Sequence, residues 1–327
     1  MSNGRTSIGQ VTRKPRFTVA GVVRFFQTYA VVMMIVALII LLSFLSDSFL
    51  TVQNLINILN QNTPLAIMAA AMTLVIICGG FDLSVGAIFA VGSVAAAAIA
   101  LAVDPLAGLI AAPLIGAGLG FVNGVTIVML SIHSFLATLA MGLVYRGIAI
   151  LITGGTLVPV RLEAFTWLGR DRIGPIYIAV IVMVAFAVLL TVILNRSTLG
   201  RRIFAVGGNE EAAILSGIRT RWVKIIAFSI NGFAAGLAAA IAVSRISLGQ
   251  ATAGMGMELE AIAAVIIGGT SIYGGQGAVW RSVAGVIMLA LVNNGFNILN
   301  ADPFYKDLTT GLIIVAAVAI SASGRKR

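Results

Sequence analysis

Charge is scarce in this sequence. Only 10% of its 327 residues are Asp, Glu, Lys or Arg, against 60% apolar, whereas a soluble chain carries about a quarter charged. A water-facing surface cannot be covered from that supply, so lipid must be the second solvent. Cysteine and histidine each occur once. A lone cysteine, Cys78, excludes an intrachain disulfide and a cysteine-rich metal site, and among apolar neighbours it reads as a small core residue. His133 without companions makes no metal site. One histidine and one cysteine far apart also leave no constellation for an intramembrane enzyme. None of the four lysines (Lys14, Lys224, Lys306, Lys326) follows a glycine. The glycine-rich stretch Gly268–Gly277 is therefore not a phosphate loop, which needs Gly-Lys-Ser/Thr. A dinucleotide fold fails too, for want of a soluble βαβ setting. Those glycines read as sites of close helix packing or of a broken helix.

What the chain does have is long apolar runs, with a mean hydropathy of +1.08. A helix crosses the hydrocarbon core with about 20 mostly apolar residues. The alternation of a membrane barrel is absent, and helices satisfy their own backbone hydrogen bonds, so repeated runs mean an all-α bundle. Ten spans are predicted: Tyr29–Leu45, Ala66–Cys78, Val85–Val103, Leu106–Leu130, Phe135–Ile152, Ile176–Leu194, Ile225–Val243, Leu259–Ile267, Val283–Leu299 and Leu308–Ile320. Two of these are short for a crossing, and eight spans is the alternative count.

The net charge of +10 does not indicate nucleic acid, because the basic residues sit at the ends of apolar runs. They cluster before the first span (Arg13, Lys14, Arg16, Arg24), between Arg196 and Lys224, and at Arg325–Arg327. The positive-inside rule places all three in the cytoplasm, and ten spans bring them to one side. The expectation is one transmembrane domain over 1–327. It has a cytoplasmic N-terminal segment at 1–28, a cytoplasmic loop at 195–224, and both termini inside. The first run ends in no small-residue cleavage site and reads as a retained helix. Phe165, Trp167 and Trp280 read as interfacial anchors.

Several segments carry candidate function. In Gly79-Gly80-Phe81-Asp82-Leu83-Ser84-Val85-Gly86 two glycines break a helix and a carboxylate follows. Asp82 and Ser84 either line or gate a pathway, or Asp82 caps the next helix by accepting from Ser84 and Val85, which is the preferred reading. Val75–Gly80 is echoed by Val265–Gly269; an internal repeat with broken helices and chance similarity both account for the echo. Asn123, Asn293 and Asn294 lie within apolar spans, where they tie helices together or meet a passing hydroxyl. Thr270 and Ser271 join them as pathway candidates. Arg146, deep in the fifth span, calls for a carboxylate partner or a route to the interface.

In the 195–224 loop, Asn209 can cap a short helix, Glu210 and Glu211 suit its positive end, and Gly217 can stop it. Ala212, Ala213 and Ser216 complete the segment, and Ile214, Leu215 and Ile218 then offer an apolar edge that either docks onto a partner or lies on lipid headgroups.

Glu211-Ala212-Ala213, followed after three residues by Gly217-Ile218, resembles the coupling motif of ABC importer permeases. Gly79–Gly86 is similar to the Gly-Gly-Ile-Asp-Leu-Ser-Val-Gly of the ribose-type sugar permeases, with Phe81 for Ile. Leu199–Arg201, Gly207–Glu210, Ala261–Val265, Gly268–Ser271 and Leu291–Gly295 resemble further family segments, in the family's order, from about Asn54 to the last span. The resemblance implies a permease subunit of a bacterial inner membrane, importing a monosaccharide through a pore shared by two permease chains. It implies an ATPase subunit gripping Asn209–Ile218 and an extracytoplasmic sugar-binding protein. ATP and Mg would be bound by the ATPase and no cofactor by this chain, so it would be no enzyme. Branched-chain amino acids or another small polar solute are the alternative cargo. An ion-coupled secondary transporter is the alternative class, and the scarcity of midplane carboxylates and histidines speaks against it.

Overall fold

The computed structural model describes residues 19–302 and, beyond them, 304, 305, 308, 309, 311–313 and 315, with side chains from Tyr29 onward. In chain order the helices are α1 (Val19–Leu45), α2 (Val52–Ile77), α3 (Val85–Ala102), α4 (Pro105–Leu130) and α5 (Ser134–Thr153). After α5 come a two-residue strand β1 (Val158–Pro159), a single 3-10 turn, the one-turn α6 (Trp167–Arg170) and the hairpin β2 (Arg172–Ile173) and β3 (Ile176–Tyr177). Then follow α7 (Ile178–Arg196), α8 (Thr198–Gly208), α9 (Glu210–Leu215), α10 (Thr220–Ile246), β4 (Leu248–Gly249), α11 (Met257–Ile267) and α12 (Val279–Ile298). β1 pairs antiparallel with β4, tying the α5–α7 connection to the far end of α10.

Among the described residues, α2, α3, α4, α5, α7, α10 and α12 are long and apolar enough to cross a membrane, with Tyr29–Leu45 of α1 a shorter apolar stretch. This is the expected polytopic helical bundle. The tenth predicted span falls largely outside the described residues, as do Arg13, Lys14 and Arg16 and the basic cluster at the C-terminus, while Arg24 falls on α1, which begins ten residues before the predicted first span.

The two short predicted spans turn out differently. The second is only half of α2, which begins at Val52 rather than Ala66. Its first turns carry Gln53, Asn54, Asn57, Asn60 and Gln61, and that polarity hid them from a hydropathy reading. Its second half, Leu65–Ile77, is buried on every side. The eighth, α11, really is short, at 11 residues; this is about 16 Å of helix, half a crossing.

α4 and α10 approach backbone to backbone. A Cβ on Gly116 would overlap the Gly232 carbonyl oxygen, one on Gly120 that of Phe228, and one on Gly236 that of Ala112. Small residues at four-residue spacing permit such contact in lipid, where dispersion and close approach drive association. Polar ties add to it: Asn54 and Asn294 exchange amide hydrogen bonds at 2.9 and 3.2 Å, joining α2 to α12. Thr73 donates to Ser282 at 2.7 Å between the same helices.

One smaller expectation is corrected and another is refined. Phe165 is no interfacial anchor: its side chain is wholly buried, and its carbonyl accepts from Ser244 at 2.7 Å. Arg146 makes no direct ion pair among the described residues, although the Glu258 carboxylate lies within electrostatic reach. Its guanidinium donates to the carbonyls of Ala251 and Ala253, at 2.8 and 2.6 Å, which holds the chain entering α11.

Candidate functional site

The glycine contact between α4 and α10 sets Asn123 and Asn231 on either side of the α2–α3 break. Asp82, wholly buried there, accepts from the Ser84 backbone N–H at 3.0 Å and the Ser84 hydroxyl at 2.6 Å. Its other oxygen accepts from the Asn231 amide at 3.0 Å. Ser84 in turn accepts from Asn123 at 2.6 Å, and the Tyr145 hydroxyl donates to Asn123 at 2.9 Å. Four elements are thereby joined through one chain of side chains. Of the two N–H groups expected to be capped, Asp82 reaches Ser84 and not Val85. The surrounding loop is pinned by α5: Ser134 accepts from Phe81 N–H and Thr138 from Leu83 N–H, each at 3.0 Å.

The sequence echo has a structural counterpart. α2 ends with Gly79 at φ +86°, Gly79 N–H on the Ile76 carbonyl and Gly80 N–H on that of Val75. α11 ends with Gly269 at φ +82°, Gly269 N–H on Ile266 and Thr270 N–H on Val265. Both are left-handed glycine caps with the same pair of bonds, a backbone conformation that glycine adopts without the strain an L side chain meets. Past the second cap the chain turns back, and Gly275 donates to the Ile77 carbonyl at 2.8 Å. Gly207, on α8, sits so close that a Cβ would overlap that same carbonyl oxygen. The end of α2, the end of α8 and the α11–α12 turn thus meet at one junction.

The remaining pathway candidates separate. Asn123 belongs to the Asp82 chain. Asn294 is tied to Asn54. Asn293 Oδ1 and Thr270 Oγ1 are buried without a hydrogen-bond partner. Ser271 shapes the α11–α12 turn, its hydroxyl accepting from Tyr273 N–H at 3.3 Å and its carbonyl from Gly274 N–H at 3.1 Å.

Beside the junction lies α9. Asn209 Oδ1 accepts from Ala212 N–H at 2.9 Å, Glu210 pairs with Lys224 of α10 at 2.7 Å, and Gly217 at φ +79° ends the helix with Ile218 N–H on the Ala213 carbonyl. Ala213 is buried, Ile214 is exposed, and Leu215 is 90% exposed. Glu211, Ala212 and Ser216 also face outward. A folded, capped helix thus presents an apolar edge.

Comparison with known proteins decides the family. Residues 54–318 match the family described as branched-chain amino acid transport system / permease component. The chain belongs to this permease family. The permease is 41% identical to the ribose import permease protein RbsC of Escherichia coli (strain K12), over 88% of its own length and 91% of the relative's. It is 39% identical to the ribose import permease protein RbsC of Bacillus subtilis (strain 168), over 86% and 89%. It is 36% identical to the D-allose transport system permease protein AlsC of Escherichia coli (strain K12), over 90% of each. No solved structure matches it.

Sequence reasoning passed over three parts of this permease. Asn231 and Tyr145 complete the Asp82 chain, but neither stands in a local motif that points to it. The four-residue glycine spacing at 116, 120 and 124 was legible and went unused. Glu258 opens α11 with Oε1 on Gly256 N–H at 3.3 Å and Oε2 buried without a hydrogen-bond partner; an acid at the head of a short span was its only signal.

Proposed function

We propose that this chain is the membrane-spanning subunit of an ATP-driven importer that carries a monosaccharide of the ribose or allose class into the cytoplasm. The observation that carries this reading is the end-to-end similarity to the ribose and D-allose permeases. The chain supplies the path and a separate ATPase binds ATP and Mg. Arg201 and Arg202 lie on α8, and Arg196, Arg219, Arg221 and Lys224 flank α8 and α9, which supports a cytoplasmic location for that end. A second permease chain completes the pore, and an extracytoplasmic binding protein delivers sugar to the opposite end.

Coupling runs through α9. Its exposed Ile214–Leu215 edge supports docking into the ATPase, and the Glu210–Lys224 pair links its motion to α10. The test is reconstitution in proteoliposomes with the cognate ATPase and binding protein. ATP-dependent uptake of labelled ribose or allose is expected. Leu215→Asp, at a site too exposed to matter for folding, is expected to lower uptake at least about tenfold, a loss of about 1.4 kcal/mol of coupling free energy. Uptake by the permease without an ATPase, or undiminished uptake by the variant, counts against the mechanism. Uptake of leucine in place of sugar would favour branched-chain amino acids, the cargo in the family's description.

A further inference from the structure

At the end of the molecule opposite α9, the first turns of α2 present a row of carboxamides. Gln53, Asn57, Asn60 and Gln61 recur at the spacing of one helix face. Gln53 donates to Asn57 at 2.9 Å, and Gln53 and Gln61 are exposed. About 24 Å of helix rise separates Gln61 from Ile77, less than the roughly 30 Å of hydrocarbon in a bilayer. An amide face at that depth is unfavourable against lipid, where nothing replaces the hydrogen bonds of water.

The face borders an open cavity of about 380 Å³ lined by Asn57, Asn60 and Gln61 of α2 together with Arg170, Arg172, Tyr177 and Arg245. No carboxylate lines it. The arginines act as struts. Pro64 has no N–H to give the Asn60 carbonyl, and Arg245 donates to that carbonyl instead, at 2.7 Å. Arg170 donates to the Arg245 carbonyl at 2.7 Å and to the Ser247 hydroxyl at 3.0 Å. Arg172 donates to the Tyr177 hydroxyl, with its guanidinium 4.0 Å from the centre of that ring. Asn60, by contrast, is only 6% exposed, and its Oδ1 has no hydrogen-bond partner.

We infer that this cavity is an outward-facing binding site for a neutral, polyhydroxylated solute, with the Asn57, Asn60 and Gln61 amides as its ligands. Each amide offers both a donor and an acceptor, and a hydroxyl group matches either. A carboxylate can only accept, so it satisfies the guanidinium groups and leaves the stranded Asn60 oxygen unpaired. A lipid tail satisfies neither. The inference rests on the reading of the chain as a sugar permease and adds where on this chain the sugar is first held.

The test uses the assembled permease–ATPase complex in proteoliposomes, with Gln61→Cys in a Cys78→Ala background. A membrane-impermeant thiol reagent added outside is expected to modify the new cysteine. Millimolar D-ribose, D-allose or L-arabinose is expected to slow that modification several-fold, while acetate and glutamate leave it unchanged. Gln61→Leu is expected to assemble normally and to lower the rate of ATP-driven sugar uptake about tenfold. An unreactive cysteine, or full uptake by Gln61→Leu, would show that the face lies against lipid or protein and would overturn the site. Protection by acetate or glutamate and not by sugars would overturn it in favour of an anion site. Failure of ATP-driven sugar uptake by the unmodified complex would instead overturn the sugar-permease reading, which keeps the two failures apart.

Discussion

Asp82 shows how one carboxylate can organise several helices. Its two oxygens take three hydrogen bonds from neutral donors, on Ser84 and Asn231. Removing the side chain strands buried donors, and each stranded group costs about 1–3 kcal/mol. Asp82→Ala is therefore expected to destabilise the permease by about 3 kcal/mol, read as a fall of several degrees in melting temperature in detergent. Asp82→Asn keeps one carbonyl acceptor and is expected to lose roughly half as much. An unchanged melting temperature for Asp82→Ala would mean that the chain from Asn231 to Tyr145 does not bear on the fold. The break and its carboxylate were legible from the sequence because glycine pairs and a lone acid stand out among apolar residues. Asn231 and Tyr145 were not, since a single amide or phenol in a span has no local signature and only the folded packing brings it to Asp82.

At the scale of elements, the α4–α10 contact gives a prediction of opposite sign at two neighbouring glycines. Gly120 faces α10, and a Cβ there would overlap the Phe228 carbonyl oxygen; Gly118 has nothing within 4 Å. Gly120→Ala is expected to destabilise by about 1–3 kcal/mol through overpacking. Gly118→Ala is expected to stabilise by about 0.5–1 kcal/mol, because alanine loses less conformational freedom in a helix. Thermal melts of the two variants side by side check this, and equal effects would mean that the helices are not held at backbone contact. Elements were readable wherever apolarity and length coincided, as in α3, α4, α5 and α7. The reading failed where a membrane helix is polar on purpose, as in the first half of α2, and where a helix lies outside the apolar runs, as in α8. The cap and stop of α9 were legible because Asn209 and Gly217 act locally, whereas the Lys224 partner of Glu210, on the next helix, was not.

Across the whole molecule, α2 joins the two ends, as α10 also does with Lys224 beside α9 and Arg245 at the cavity. The far end of α2 carries the carboxamide face of the proposed sugar site, and its near end stops at the junction with α8 and the α11–α12 turn. Because Leu65–Ile77 is buried on all sides, a displacement at Ile77 cannot be absorbed by lipid and must move the helix or its neighbours. The Ile77 carbonyl accepts from Gly275 at 2.8 Å, and Gly207 of α8 lies directly against it. A methyl group at Gly207 would force the three segments apart, whereas one at Gly208 meets nothing within 4 Å. Gly207→Ala is expected to lower ATP-driven uptake at least about tenfold, while the complex with the ATPase still forms because α9 is untouched. Gly208→Ala is expected to transport normally. Uptake rate and ATPase copurification, measured on both variants, separate a broken transmission from a broken docking contact. Full uptake by Gly207→Ala would mean that force from α9 reaches the pathway through α10 and the Glu210–Lys224 pair alone.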